Sequence, residues 1–174
     1  VTNLTGWPFI NHWIEYPPLF PFICEVFNIV SSNGQFLFTF FITILLAAAG
    51  AGSIWLFGKI AQTLTHPGEA LLRTIIYFGL LSVIPYTWWY YDPLVVFFIL
   101  AANWAFLQKK HNLTGLWIGL GILAKWFPIF ILPSIWRQQP VRKALRITAI
   151  AVGMVIVVWG TLYLISPEMT RASL

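Results

Sequence analysis

One apolar stretch with a single charge at its centre constrains this chain more than any other feature. Leu113–Trp136, LTGLWIGLGILAKWFPIFILPSIW, is apolar throughout except for Thr114, Ser134 and Lys125. As one straight helix it would cross a bilayer once, since about 20 apolar residues suffice. The flanking basic clusters, Lys109-Lys110-His111 and Arg137, Arg142, Lys143 and Arg146, would then fall on opposite sides, although short basic loops belong on the cytoplasmic one. A hairpin of two half-length helices, Leu113–Ala124 and Phe127–Trp136, removes the conflict. Pro128 supports the break, because proline removes a backbone donor and clashes with the preceding turn. Each arm rises roughly 15–18 Å at 1.5 Å per residue, which puts Lys125 at a turn deep in the membrane. An ammonium there costs about 2.5–3.5 kcal/mol on insertion scales, so Lys125 is expected to face a polar cavity or an anion. In the alternative, the stretch spans once and Lys125 pairs with a buried carboxylate or backbone carbonyls.

Composition makes the membrane setting general. Of 174 residues 59% are hydrophobic and 9% charged, against about 25% charged in soluble domains. Ten Trp, many near expected helix ends, suit an interfacial belt. The net charge of +5 is no nucleic-acid signal, because the Lys and Arg sit in short loops between apolar runs; no nucleic-acid partner is expected. Cys24 is the one cysteine, which excludes an intramolecular disulfide and a cysteine zinc cluster. The chain starts at Val1 without the features of a signal peptide and stops soon after an apolar run, so it is expected to be an internal piece of a longer protein.

Taken in order, residues 1–17 form a loop, expected on the extracytoplasmic side, with a chance-level sequon at Asn3-Leu4-Thr5. Pro18–Val30 is too short to span and carries Pro21, Glu25 and Asn28, which suits an interfacial or re-entrant helix. Ser31-Ser32-Asn33-Gly34 supplies turn and capping residues. Phe36–Gly58 is a charge-free span whose run Ala47-Ala48-Ala49-Gly50-Ala51-Gly52 would admit a close helix neighbour. Lys59 marks its inner end, and His66-Pro67-Gly68 is a turn. Ala70–Tyr86 returns, with Arg73 snorkelling from its first turn. Thr87–Asp92, TWWYYD, is an interfacial segment, and Pro93–Gln108 goes back in. The Lys125 hairpin, the basic loop Arg137–Arg146 and a span from Ala144 to Ile165 complete the chain. Eight of the ten Lys and Arg fall in the inner loops, while Glu15, Asp92 and Glu168 fall outside, as the positive-inside rule requires.

Few side chains could carry chemistry. No metal-ligand spacing, Ser-His-Asp set or glycine-rich phosphate loop is present, so no metal and no cofactor is expected. Gly115 and Gly119 are a small-residue pair suited to helix packing. Glu15-Tyr16-Pro17-Pro18-Leu19 places an acid before a rigid double proline, which is either a simple helix start or part of a site. Asp92 follows Tyr90 and Tyr91 and precedes Pro93. It is either a plain helix cap or an acid among aromatics that binds sugar hydroxyls.

EYPPL before a helix, DPLV opening a short span, and TGLWIGLGILAKWFPIFILP before a basic loop together resemble the GT-C superfamily of polyprenyl-phosphate-sugar-dependent transferases, most closely glycosyltransferase family 87, the bacterial alpha-mannosyltransferase type. The resemblance covers roughly residues 12–150. It implies a sugar transferase with a lipid-phosphate donor, working on the extracytoplasmic face of a bacterial plasma membrane. It casts Lys125 as the donor-phosphate ligand, and Asp92, Tyr91 and Tyr16 as ligands of the sugar or acceptor. The family's catalytic Asp lies in the first outer loop. Val1–Ile14 contains no Asp or Glu, so that base is expected outside this piece, with Glu15 a weak substitute. Tyr90 stands where the family often has Asn.

The expected fold is therefore all-α. It is a polytopic, multi-pass transmembrane protein and a partial GT-C-like module, with four spans, a re-entrant hairpin and an outer interfacial helix. It forms one domain over 1–174, of which 1–34 are the outer loop and interfacial helix and 35–174 the spans. The expected function is transfer of a sugar, mannose by the resemblance, from polyprenyl phosphate to a lipid or glycan acceptor, among membrane lipids. A transporter or channel module with a midplane charge and a non-catalytic scaffold are the alternatives. The hairpin makes a direct prediction: single cysteines at Asn112 and Gln138 label with an impermeant maleimide from the same side of the membrane, whereas a straight span would put them on opposite sides.

Overall fold

A computed structural model describes residues 6–32, 34–83 and 90–174. Among them the chain is helical, and the one extended feature is an isolated bridge between Pro8 and His12. The elements are α1 (Leu19–Val30), α2 (Gln35–Leu64), α3 (Pro67–Val83), α4 (Asp92–Leu107), α5 (His111–Ala124), a 3-10 turn (Phe127–Phe130), α6 (Ile131–Gln138), α7 (Val141–Ile165) and α8 (Pro167–Ala172). The sequon, Asn33, the expected end of the second span at 84–86, and Thr87–Trp89 of the aromatic segment lie outside the described residues.

Two helices, α2 with 30 residues and α7 with 25, are long and apolar enough to cross a membrane. At 1.5 Å per residue they measure about 45 and 37 Å, more than the roughly 30 Å of a bilayer's hydrocarbon core. The four-span expectation is therefore met by length in two helices, with α4 a shorter apolar one. The span expected at Phe36–Gly58 runs on through Leu64, because Lys59 does not stop a helix. Its ammonium lies over the Trp55 ring at 5.9 Å, and a long basic side chain can lead its charge outward from an apolar stem. Likewise Pro67 begins α3 instead of lying in a turn before it, since proline is at home in a first turn. Arg73 pairs with Glu69 at 2.6 Å. The segment after Ser166 forms α8.

The core is built from close helix contacts. Gly115 and Gly119 of α5 face α7: a Cβ on Gly115 would lie 2.7 Å from the Ile147 carbonyl oxygen and 2.9 Å from the Ile150 Cβ, and one on Gly119 3.2 Å from the Ala151 carbonyl oxygen. The rising numbers show that α5 and α7 run parallel, and Trp126 stacks on Trp159 further along. Helix α4 lies antiparallel to α5, with Phe98 stacked on Trp117 and Ala102 sharing a buried cluster with Ile118 and Ile147. Gly52 of α2 admits the Phe97 ring of α4. Helix α3 packs on α2, where Phe57 stacks on Tyr77 at 4.4 Å.

The N-terminal segment and the C-terminal helix close the same end. Phe9 is fully buried against Phe22 and Trp159, the Ile14 N–H donates to Ser173 Oγ at 3.0 Å, and the Ser166 hydroxyl donates to the Ile10 carbonyl. On α1, burial and then the charge of Glu25 push the Cys24 thiol up to about 11. Its thiolate fraction at neutral pH is correspondingly lower than that of an ordinary cysteine.

Gly115 and Gly153 make a matched pair for a stability test. Gly115→Ala drives a Cβ into the α7 backbone and should cost about 1–3 kcal/mol. Nothing lies within 4 Å of a Cβ on Gly153, so Gly153→Ala should be neutral or gain up to about 1 kcal/mol from helix propensity. Melting of the two variants in detergent checks both.

Candidate functional site

The break after Ala124 is built by Gly121, Lys125 and Pro128. The Lys125 N–H still donates to Gly121 at 2.8 Å, but Lys125 itself is extended (φ −159°, ψ 142°). The Pro128 ring then packs on Gly121, where a Cβ would come within 3.1 Å of it. Proline cannot continue the α5 hydrogen bonding, and glycine leaves room for its ring. Leu132 and Ile135 of α6 return to the cluster that holds Ile118 and Ile122 of α5. The two flanking basic clusters consequently meet, since Lys109, Lys110 and His111 line one cavity with Arg146 of α7.

At the opposite end of α5, Lys125 Nζ donates to Asp92 Oδ1 at 2.5 Å. Asp92 opens α4 as the acid of its first turn; its carboxylate complements the positive helix end while turning to Lys125. The ammonium also lies 5.5 Å from the Tyr91 ring and 5.7 Å from the Phe127 ring, both within cation–π range. Phe20 of α1 stacks on Tyr91 at 4.3 Å, and Tyr16 meets it edge-on at 5.8 Å.

The structure thus brings together Lys125, Asp92, Tyr91 and Tyr16. Glu15 is exposed and makes no hydrogen bond or ion pair among the described residues. Phe20 and Phe127, which sequence reasoning missed, complete the aromatic wall. Aromatic neighbours on both sides of EYPP and directly after the lone lysine were the available signal.

The pair is reachable, with side-chain exposures of 35% for Lys125 and 47% for Asp92. It is also set below the ends of the long helices. Trp126, next to Lys125, stacks on Trp159, about 9 Å along α7 from its end at Ile165. Tyr91 and Ala124 pack with Leu46 and Ala49, roughly 16 Å or more into α2 from Gln35. Burial, then the neighbouring Tyr16 and Asp92, push the Tyr91 phenol up to about 12. It therefore remains a hydrogen-bond donor at neutral pH, although its hydroxyl has no partner among the described residues.

Apolar helices of spanning length around a recessed ion pair define a helical membrane protein with a polar site at one end. The sequence profile of glycosyltransferase family 87 matches residues 13–172, and the chain belongs to that family. Every residue of the cluster lies within the match. No curated protein and no solved structure matches the chain. The family is one of membrane glycosyltransferases, which require a sugar donor and an acceptor.

The unpartnered hydroxyl separates packing from recognition at Tyr91. Tyr91→Phe keeps the stacking and the cation–π contact and loses no hydrogen bond among the described residues, so its stability should stay within about 0.5 kcal/mol of the parent. Melting temperature measures this, and any loss of turnover in that variant then belongs to the hydroxyl.

Proposed function

We propose that this chain carries the donor site of a mannosyltransferase-type enzyme, which moves a sugar from polyprenyl phosphate to a lipid or glycan acceptor on the extracytoplasmic face. The observation that carries this reading, within the family, is the Lys125–Asp92 pair under Tyr91 at a helix break. Its place supports the side. The cationic cavity lies at the other end of α5, and basic loops belong in the cytoplasm, so the pair faces outward. The break is then the tip of a re-entrant hairpin in a multi-pass protein.

In this reading the donor phosphate takes the place of Asp92 on Lys125. An ion pair this exposed contributes only about 0–1 kcal/mol, so the exchange of one anion for another costs little and never leaves the ammonium bare. Asp92, released, accepts hydroxyls of the sugar or acceptor, and Tyr91 and Tyr16 offer ring faces and phenol donors. The reaction forms a bond between the acceptor oxygen and the sugar's anomeric carbon and breaks the bond from that carbon to the phosphate oxygen. The acceptor proton goes to a carboxylate base. The electron pair leaves with the lipid phosphate, whose charge rises from −1 in the diester to about −1.5 to −2 in the monoester. Lys125 therefore binds the departing group more strongly than the bound donor, which is the condition for raising kcat.

Lys125→Ala in the full-length enzyme should lower kcat/KM for a radiolabelled polyprenyl-phosphate sugar by about 100-fold, roughly 3 kcal/mol, mostly in kcat, with the fold retained. Lys125→Arg should keep part of the activity, because the charge stays and the geometry changes. Asp92→Asn should also impair turnover. Parent kinetics in both Lys125→Ala and Asp92→Asn at normal expression would remove the site assignment. Substrate flux across vesicles without turnover would favour a transporter instead.

A further inference from the structure

We propose that the cavity at the basic end of the bundle is a binding site for a phosphate-bearing anion, separate from the Lys125 site. It measures about 290 Å³ and is lined by Lys109, Lys110, His111, Asn112, Leu113 and Arg146. These residues come from the turn after α4, the first turn of α5 and the second turn of α7. The salt bridges among the described residues are Arg73–Glu69 and Lys125–Asp92. Neither pair involves a cation of this cavity.

Three features make the cavity's charge unbalanced without an anion. The first is the position of the cations. Arg142, Lys143 and Arg146 lie in the first two turns of α7, which has no acid in its first turn and no side-chain cap; a helix N-terminus repels such charges. The second is α5, whose N-cap position is held by Lys110, also without a side-chain cap. The first backbone bond of α5 runs from the Thr114 N–H to the Lys110 carbonyl, so the N–H groups of His111, Asn112 and Leu113 are donors left for the cavity. The third is His111, whose Nδ1 is buried without a partner among the described residues. Burial, then the charges of Lys143 and Arg146, lower its imidazole from the ordinary range.

The backbone adds a fourth observation. Helix α4 ends with Lys110 N–H donating to the Ala105 carbonyl and Lys109 N–H to the Phe106 carbonyl, both at 2.9 Å. This paired closure places one residue in the left-handed region, where glycine is usual. Lys109 occupies it at a φ of 58°, a conformation that is unfavourable for an L-residue. The end of α4 does attract a cation, but a lysine one position earlier would serve that dipole without the strain. The left-handed position puts an ammonium on the cavity wall. Lysines, a guanidinium and uncapped N–H groups are the donors that recognise phosphate oxygens. The phosphate can belong to an anionic lipid headgroup, as in basic pockets between membrane helices, or to a free phosphate in the aqueous phase.

The test uses the full chain in nanodiscs of phosphatidylcholine, with or without phosphatidylglycerol, and separately with inorganic phosphate added to the phosphatidylcholine discs. Melting shifts and the lipid retained in native mass spectrometry report binding. Arg146→Gln and Lys109→Gly should each weaken anion binding about fivefold, the effect of one cation near a lipid surface. Lys109→Gly should melt at least as high as the parent without anion, because glycine relieves the backbone; loss of binding is then not loss of fold. Arg137→Gln, at the end of α6 and outside the cavity lining, should leave binding unchanged. A response to phosphatidylglycerol alone assigns the lipid headgroup, and a response to inorganic phosphate assigns the free ion. The proposal is overturned if the parent responds to neither, if the cavity variants bind as the parent does, or if Arg137→Gln weakens binding as much as Arg146→Gln.

Discussion

Helices α5 and α7 touch along their small residues and run in the same direction, and most of the architecture follows from that contact. Two parallel neighbours close in sequence need the chain between them to travel back the length of the first. Residues 125–140 have to do so while passing over apolar surfaces. The 3-10 turn and α6 are that return path. It is helical because a returning strand would leave backbone donors and acceptors unpaired against apolar surroundings. Gly115 and Gly119 set how near the two axes come, and Gly121 gives the Pro128 ring its seat. In a setting where burial from water supplies little drive between helices, such close packing is the main source of association.

The same contact sorts the charges. Because α5 begins where α7 begins, the cations before α5 and those of α7 gather at one end. Because α5 breaks at Lys125, the one interior cation is delivered to the other end, beside the start of α4. The two ends differ in more than position. Lys125 is neutralised by a carboxylate and covered by aromatic rings, whereas the cations of the opposite cavity have helix N-termini for neighbours. A single parallel packing register therefore gives one balanced polar site and one unbalanced one.

Much of this was legible in the sequence, and the parts that were share a cause. The break at Lys125, the helix through residues 113–124 and the shared side of the basic clusters follow from a lone charge, a proline and the distribution of Lys and Arg, all of which act locally or by simple topology. Helix ends were harder to read. The sequence changes character at Lys59, yet α2 continues to Leu64, because a helix needs hydrogen bonds and not hydrophobicity to go on. The partner of Lys125 was open as well. Glu15, Glu25 and Asp92 were all acids of the same region, and only the antiparallel packing of α4 on α5 selects Asp92. The left-handed Lys109 had no local signal, since neither its neighbours nor its own type favours that conformation.

What the Lys125 site can do depends on how loosely its charges are held. A fully buried ion pair resists opening, because removing one partner leaves an uncompensated charge at a cost of about 3–5 kcal/mol. A fully solvated pair is easily opened but gives an incoming phosphate little, since water screens both. The exposures of 35% and 47% lie between these limits. The rings of Tyr91 and Phe127 bear on the same balance, because their faces attract the ammonium without satisfying a hydrogen bond. They can hold Lys125 in place while its anionic partner changes. Replacing the rings by aliphatic side chains would keep the packing but leave Asp92 as the sole restraint, and the ammonium would then follow whichever anion or water reached it first. By this argument the aromatic wall, more than the salt bridge, would keep Lys125 in place for the phosphate role proposed for it.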